Sequence, residues 1–250
     1  MKALRLFPQP SVKLFTVLML VLGTASAAVA EPYRPPAGLG APARRESAGT
    51  RGCVFGNPAS LIALMPENNI GWTTDASPRF YWYLPVNQAS WVEFTLEQAS
   101  ETADSPEVIY QTRFAVTGEA GIVSLQLPET VSLPSLVEGD RYRWQVSIFC
   151  SPTSEVGELQ VDGWIERQVP NADLMAAIAA ASESDKLGLY ADNGYWFNAI
   201  DQLVALQTAD PENPDLQTRW IELLESVGLE ALANQPLLRS SSTAPNTDPN

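Results

Sequence analysis

Carboxylates, two cysteines and seven tryptophans are the side chains of this 250-residue chain with chemical reach, and it contains no histidine. Without an imidazole, Ser-His-Asp and Cys-His nucleophile activation, His-ligated zinc and imidazole general-base catalysis are excluded. Cys53 and Cys150 form no Cys-x-x-Cys pair, so redox exchange and structural zinc have no support. In an oxidising compartment an isolated pair reads as one disulfide, closing a loop of nearly a hundred residues. The alternative is two buried free thiols. No Walker-type phosphate loop or dinucleotide fingerprint occurs. That leaves carboxylate chemistry, such as the Asp/Glu pair of a glycoside hydrolase. With 29 acidic residues some pair always looks suitable, so the signal decides nothing. The expectation is no enzyme, no catalytic residue, no metal and no cofactor, with a carboxylate-dependent hydrolase as the alternative. The tryptophans divide by strand parity. Trp82 and Trp144 fall on apolar faces and read as core. Trp91 shares a face with Glu93 and Glu97, and Trp164 with Gln160, Asp162 and Glu166. Trp91 and Trp164 are therefore the candidate binding residues, able to stack on a sugar or anchor a partner. Their other reading is to seat a helical segment against the strands.

The elements that would position these residues follow from periodicity. From Cys53 to Arg167 apolar residues recur at every second position. Phe80, Trp82 and Leu84 share one face; so do Val92, Phe94 and Leu96. Val108, Tyr110, Phe114 and Val116 form another set, as do Val123, Leu125 and Leu127. Tyr142, Trp144, Val146, Ile148 and Cys150 alternate with Arg141, Arg143, Gln145 and Ser147, and Leu159, Val161 and Ile165 follow. With Leu61–Met65 this predicts about seven short antiparallel strands and no intervening helix, a β-sandwich. After Val169-Pro170 the period changes to that of helices. Leu174, Ala177, Ile178 and Ala181 mark the first, capped by Asn171. The second is capped by Ser182 and runs through Tyr190, with Asn193-Gly194 at its end. The third carries Trp196, Ile200, Leu203 and Val204, and the fourth Trp220, Leu223, Leu224 and Val227. The class is thus a β-sandwich followed by a small all-α segment.

The ends point to export. Lys2, Arg5 and Lys13 precede the apolar run Leu14–Leu22, and Ala28-Val29-Ala30 offers small residues for signal peptidase. That run is short for a membrane span, which needs about 20 apolar residues. The organisation read from the sequence is a signal peptide over 1–30, a flexible leader over 31–50, the sandwich over 51–168, the helical segment over 169–238 and a disordered tail over 239–250. Loss of residues 1–30 takes three of the 15 basic residues and leaves 12 against 29 acidic, a net charge of −17. Such a chain repels phosphate backbones and anionic membranes. Neither nucleic acid nor membrane insertion after cleavage is expected.

Several stretches resemble known families. Leu136-x-x-Gly139-x-x-Tyr142-x-Trp144-x-Val146 resembles the corner and strand entry of fibronectin type III and immunoglobulin-like domains, which implies that Tyr142 and Trp144 are structural. Tyr190, Gly194, Ala199 and Pro211 are spaced like a single tetratricopeptide repeat, a unit that cannot bury its own face alone. The order of Arg51-Gly52-Cys53, Leu61–Pro66, Gly71-Trp72-Thr73-Thr74, Phe80–Pro85, Arg141-Tyr142-Arg143-Trp144, Gly163–Arg167, Leu189–Trp196 and Trp220–Leu224 resembles the exported-protein family called domain of unknown function 928. That resemblance implies architecture and export to the periplasm or beyond, and brings no catalytic or binding residues with it. The functional expectation is a non-enzymatic cell-envelope protein that binds another envelope or secreted protein. A carbohydrate-binding module using Trp91 and Trp164 is the alternative.

Overall fold

The computed structural model describes residues 32–47, 52–56, 60–99, 106–129 and 135–238. The expected signal peptide and tail lie outside them. The strands are β1 (Val54–Phe55), β2 (Ile62–Ala63), β3 (Ile70–Thr73), β4 (Arg79–Leu84), β5 (Val86–Asn87), β6 (Trp91–Gln98), β7 (Glu107–Phe114), β8 (Gly121–Gln126), β9 (Arg141–Phe149) and β10 (Leu159–Arg167). Four helices follow: α1 (Ala172–Ala180), α2 (Glu183–Asp192), α3 (Trp196–Ala209) and α4 (Pro214–Glu225).

The strands form a five-stranded sheet in the order β3-β10-β9-β6-β7, a three-stranded sheet β2-β4-β8 and the small pair β1-β5. The two larger sheets face each other through aromatic side chains at alternate positions. Phe80 of β4 lies 5.0 Å from Phe94 of β6 and 5.5 Å from Trp144 of β9, and Trp82 lies 6.0 Å from Phe114 of β7. Phe80, Trp82, Phe94 and Trp144 are fully buried. Each such side chain contributes about 1.5–3 kcal/mol over leaving it in water, so these rings dominate the adhesion of the sheets.

Three expectations are corrected. The strands are not all antiparallel: β3, which period-two counting overlooks because it is four residues long and includes Gly71, pairs in parallel with β10. Val108 does not share the face of Tyr110 and Phe114. A bulge at Leu96/Glu97 sets Tyr110 opposite Leu96 but Val108 opposite Glu97, and the extra residue shifts the parity. Val108 is accordingly exposed.

The third correction concerns the leader. Its described part, residues 32–47, is packed along the fold. The Tyr33 ring is buried edge-on to Trp196 at 5.1 Å, and its hydroxyl donates to the Gly194 carbonyl at 3.1 Å. The Arg45 guanidinium donates to the Val227 carbonyl at 2.6 Å, and the Ser47 and Leu61 backbones bond to one another's residues. Pro, Ala and Gly carry no periodicity, yet an extended chain can still be held through its backbone, as the Arg34, Ala41 and Ser47 N–H groups are by the Ala191, Asn68 and Leu61 carbonyls.

The helices begin where their caps place them. The Asn171 side chain accepts from the Leu174 N–H, Ser182 from Asp185, and Asn213 from Asp215 ahead of Pro214. Gly194, at φ +83°, turns α2 into α3. α3 packs on β3, where Gly71 leaves room for Trp196: a Cβ at that position would come within 2.7 Å of the tryptophan's own Cβ. The Trp196 Nε1 donates to the Leu64 carbonyl at 2.8 Å, and Phe197 meets Phe80 at 5.6 Å. One continuous cluster of buried hydrophobic side chains therefore runs from the strands into the helices. Cys53 and Cys150 form a disulfide.

Candidate functional site

Because α3 plugs the β3 edge of the sandwich, the opposite edge decides where a ligand could enter. There the edge strands β7 and β8 stand apart. A cleft of about 550 Å³ opens between them, lined by Tyr110, Phe114, Val123, Leu125, Leu127 and Leu238. These are inner-face positions. Leu125 opposes Phe80 and Val123 opposes Trp82 across the sheet, and Tyr110 and Phe114 oppose Leu96 and Val92. The cleft is thus an extension of the core that remains partly open: Tyr110, Phe114 and Leu125 are only half-buried. A volume in the range of small ligand sites, with apolar walls, is what a binding site requires. Its polar rim holds Arg79, Thr112 and Glu129. One cation and one carboxylate do not make a paired acid and base.

Sequence reading placed the candidate residues elsewhere, on the outer face of the five-stranded sheet. The structure does put Trp91 and Trp164 on that face, but it does not bring them together. Trp91 is opposite Phe149 and Trp164 opposite Arg143 on β9, so they are about 20 Å apart along the strand. Each is already engaged. The Trp91 ring stacks on Phe149 at 5.2 Å, and the Arg113 guanidinium sits 5.4 Å from its centre. The Trp164 Nε1 donates to the Pro42 carbonyl at 3.2 Å. The same face carries three ion pairs: Glu93 with Arg113 at 2.6 Å, Glu166 with Arg141 at 2.7 Å and Asp162 with Arg143 at 3.0 Å. The carboxylates are buried beneath arginines that stay half in solvent, so each pair contributes no more than about 1 kcal/mol. The helical segment is seated by Trp196 and Tyr195, which meets Trp72 at 5.8 Å, rather than by Trp91 or Trp164.

A second polar cluster ties α3 to β4. The Tyr81 hydroxyl donates to Asp201, which also pairs with Arg79 at 3.0 Å. The Asn198 amide donates to Thr74 Oγ1 at 2.9 Å and to Asp75 at 3.0 Å, and its oxygen accepts from the Thr74 N–H. Burial, reinforced by the Asp201 charge, holds the Tyr81 phenol far above its ordinary range. Burial likewise raises the Asp75 carboxyl. A phenol so held is a donor that keeps its proton, suited to fixing α3 in place and unsuited to general-acid chemistry. Among the described residues no group of three or more Cys, Asp or Glu side chains could hold a metal ion, and no helix is long and apolar enough to cross a membrane.

The cleft escapes sequence reading because Tyr110, Phe114, Val123 and Leu125 have the alternation of ordinary core. Which core residues lack a facing strand depends on sheet order. A family model described as Domain of Unknown Function (DUF928) matches residues 46–237. No curated protein matches the chain.

Proposed function

We propose that this chain, which belongs to the DUF928 family, works as an exported, non-enzymatic protein-interaction module of the cell envelope, with the β7/β8 cleft as its binding seat. The observation that carries the reading is the unfinished edge of the sandwich, where core side chains form an apolar cleft at the surface. An apolar cleft with a polar rim is the pattern of a seat for a partner's anchoring side chains. The N-terminal signal pattern and the Cys53–Cys150 bridge support export, since such bridges persist in oxidising compartments. The net charge of the mature chain argues against nucleic acid and anionic membranes as partners.

The Val137 N–H donates to the Tyr142 hydroxyl at 2.9 Å, a contact of the tyrosine-corner kind. It supports an immunoglobulin-like sandwich over 51–168. The α2–α3 hairpin, with Gly194 at its turn and Ala199 buried, supports a tetratricopeptide-like segment over 169–238.

The carbohydrate alternative is less favoured because the Trp91 ring is taken up by Phe149 and Arg113. The hydrolase alternative is less favoured because Glu93, Asp162 and Glu166 are each bound to an arginine on an open sheet face. The test is capture from envelope extract on immobilised residues 31–250. The expected result is a specific protein whose retention Leu125→Glu abolishes and Trp91→Ala leaves unchanged. Retention that survives Leu125→Glu but fails with Trp91→Ala would move the seat to the outer face. A saturable quench of tryptophan fluorescence by a polysaccharide, lost in Trp91→Ala, would favour the carbohydrate reading.

A further inference from the structure

The cleft has a shape that selects its occupant, an inference that rests on the interaction reading above. Three strands stand opposite five, and among the described residues β7 pairs with β6 alone. Beyond the bulge, Tyr110–Phe114 is regular strand containing neither proline nor lysine, so its outer edge carries neither of those common blocks to further pairing. The chain itself shows how such an edge is covered. Leu237 bridges Ile122 in parallel. The Ile122 N–H donates to the Pro236 carbonyl at 2.8 Å, and the Leu238 N–H to the Ile122 carbonyl at 2.8 Å. Gly121 makes room, since a Cβ there would lie 2.6 Å from Leu238 Cγ. That short segment pairs its backbone to a strand edge and lays Leu238 into the cleft.

We propose that the rest of the cleft takes an extended segment of a partner protein, added to the edge of β7 as a sixth strand of the large sheet. Its chemistry follows from the walls. Every second residue is apolar and points between the sheets against Leu125 and Leu127, while the intervening residues are polar and face water with Gln111 and Arg113. Proline is absent from the paired stretch, because each paired N–H is needed. Backbone pairing supplies most of the affinity, and the apolar positions supply register and selectivity.

The probe is a set of fluorescein-labelled decapeptides with Val, Ile or Leu at alternate positions and Thr between them, each matched with a version carrying Pro at its centre. They are titrated against residues 31–250 by anisotropy, with hydrogen exchange of the complex. The expected result is saturable binding, weakened about tenfold or more by the proline, with slowed exchange at Tyr110–Phe114. Leu125→Glu should weaken it similarly; Thr112→Arg on the rim serves if that variant does not fold. No binding by any peptide up to millimolar concentration would overturn the proposal, as would affinity indifferent to proline, which marks side-chain contact without pairing. A chain ended at Leu238 that binds peptides refused by the full mature chain would also overturn it, since the protein's own terminus would then be the occupant. If capture succeeds through the cleft while every peptide fails, the interaction reading stands and the strand mode falls.

Discussion

Trp196→Ala is expected to remove about 3–5 kcal/mol of stability, the range for truncating a large buried aromatic residue. Three losses coincide. The ring is fully buried, so its removal leaves a cavity. The Leu64 carbonyl loses the indole donor at 2.8 Å and stays buried without it. Tyr33, edge-on to the same ring, loses the surface that holds the N-terminal segment to the helices. Since domains are stable by only about 5–15 kcal/mol, this single change should lower the urea midpoint steeply. Trp196→Phe keeps most of the volume and loses only the donor, so its cost should be clearly smaller. If Trp196→Ala lowered the unfolding free energy, taken from midpoint and slope, by less than about 1 kcal/mol, α3 would not be the plug of the β3 edge.

Breaking the disulfide is the second large effect. Cys53 and Cys150 are 97 residues apart in sequence, and a loop of about that length is worth roughly 4–5 kcal/mol in the chain-entropy model. The bond ties the segment entering β1 to the end of β9 and so fixes the β1-β5 pair beside the larger sheets. Cys53→Ser with Cys150→Ser should cost about 4 kcal/mol, and dithiothreitol on the native chain should reproduce the shift. Equal denaturation curves with and without reductant would show that the bridge adds nothing and would remove one support for export.

How far the fold was legible follows from the physics of each element. Arg141–Ile148 alternates polar and apolar residues, which only a strand with one wet face does, and it lies in β9. Asn171 and Ser182 cap α1 and α2 as their spacing predicts. Orientation is a different matter. Alternation is the same for parallel and antiparallel pairing, so the β3–β10 pairing left no mark. The bulge beside Leu96 was equally silent, because one inserted residue reverses parity without changing composition. Residues 32–47 are held by backbone bonds and by Tyr33 and Arg45, none of which needs a period.

The candidate site was the least legible part. Trp91 and Trp164 stood out because aromatic residues on a polar strand face are uncommon, and the structure accounts for both locally. One lies under Arg113 against Phe149, the other bonds Pro42. Leu125 and Phe114 drew no attention, because a core residue and a cleft residue have the same sequence pattern. What separates them is that, among the described residues, β7 pairs on one edge alone.

The most direct test of the cleft as the interaction seat is site-specific photo-cross-linking. A benzophenone-bearing residue is placed at Thr112 on the cleft rim or at Thr95 on the outer face of β6, and whole cells producing each variant are irradiated. A discrete protein adduct from position 112 and none from position 95 is the predicted result. Adducts from position 95 alone would contradict the account and return the search to the face that carries Trp91 and Trp164.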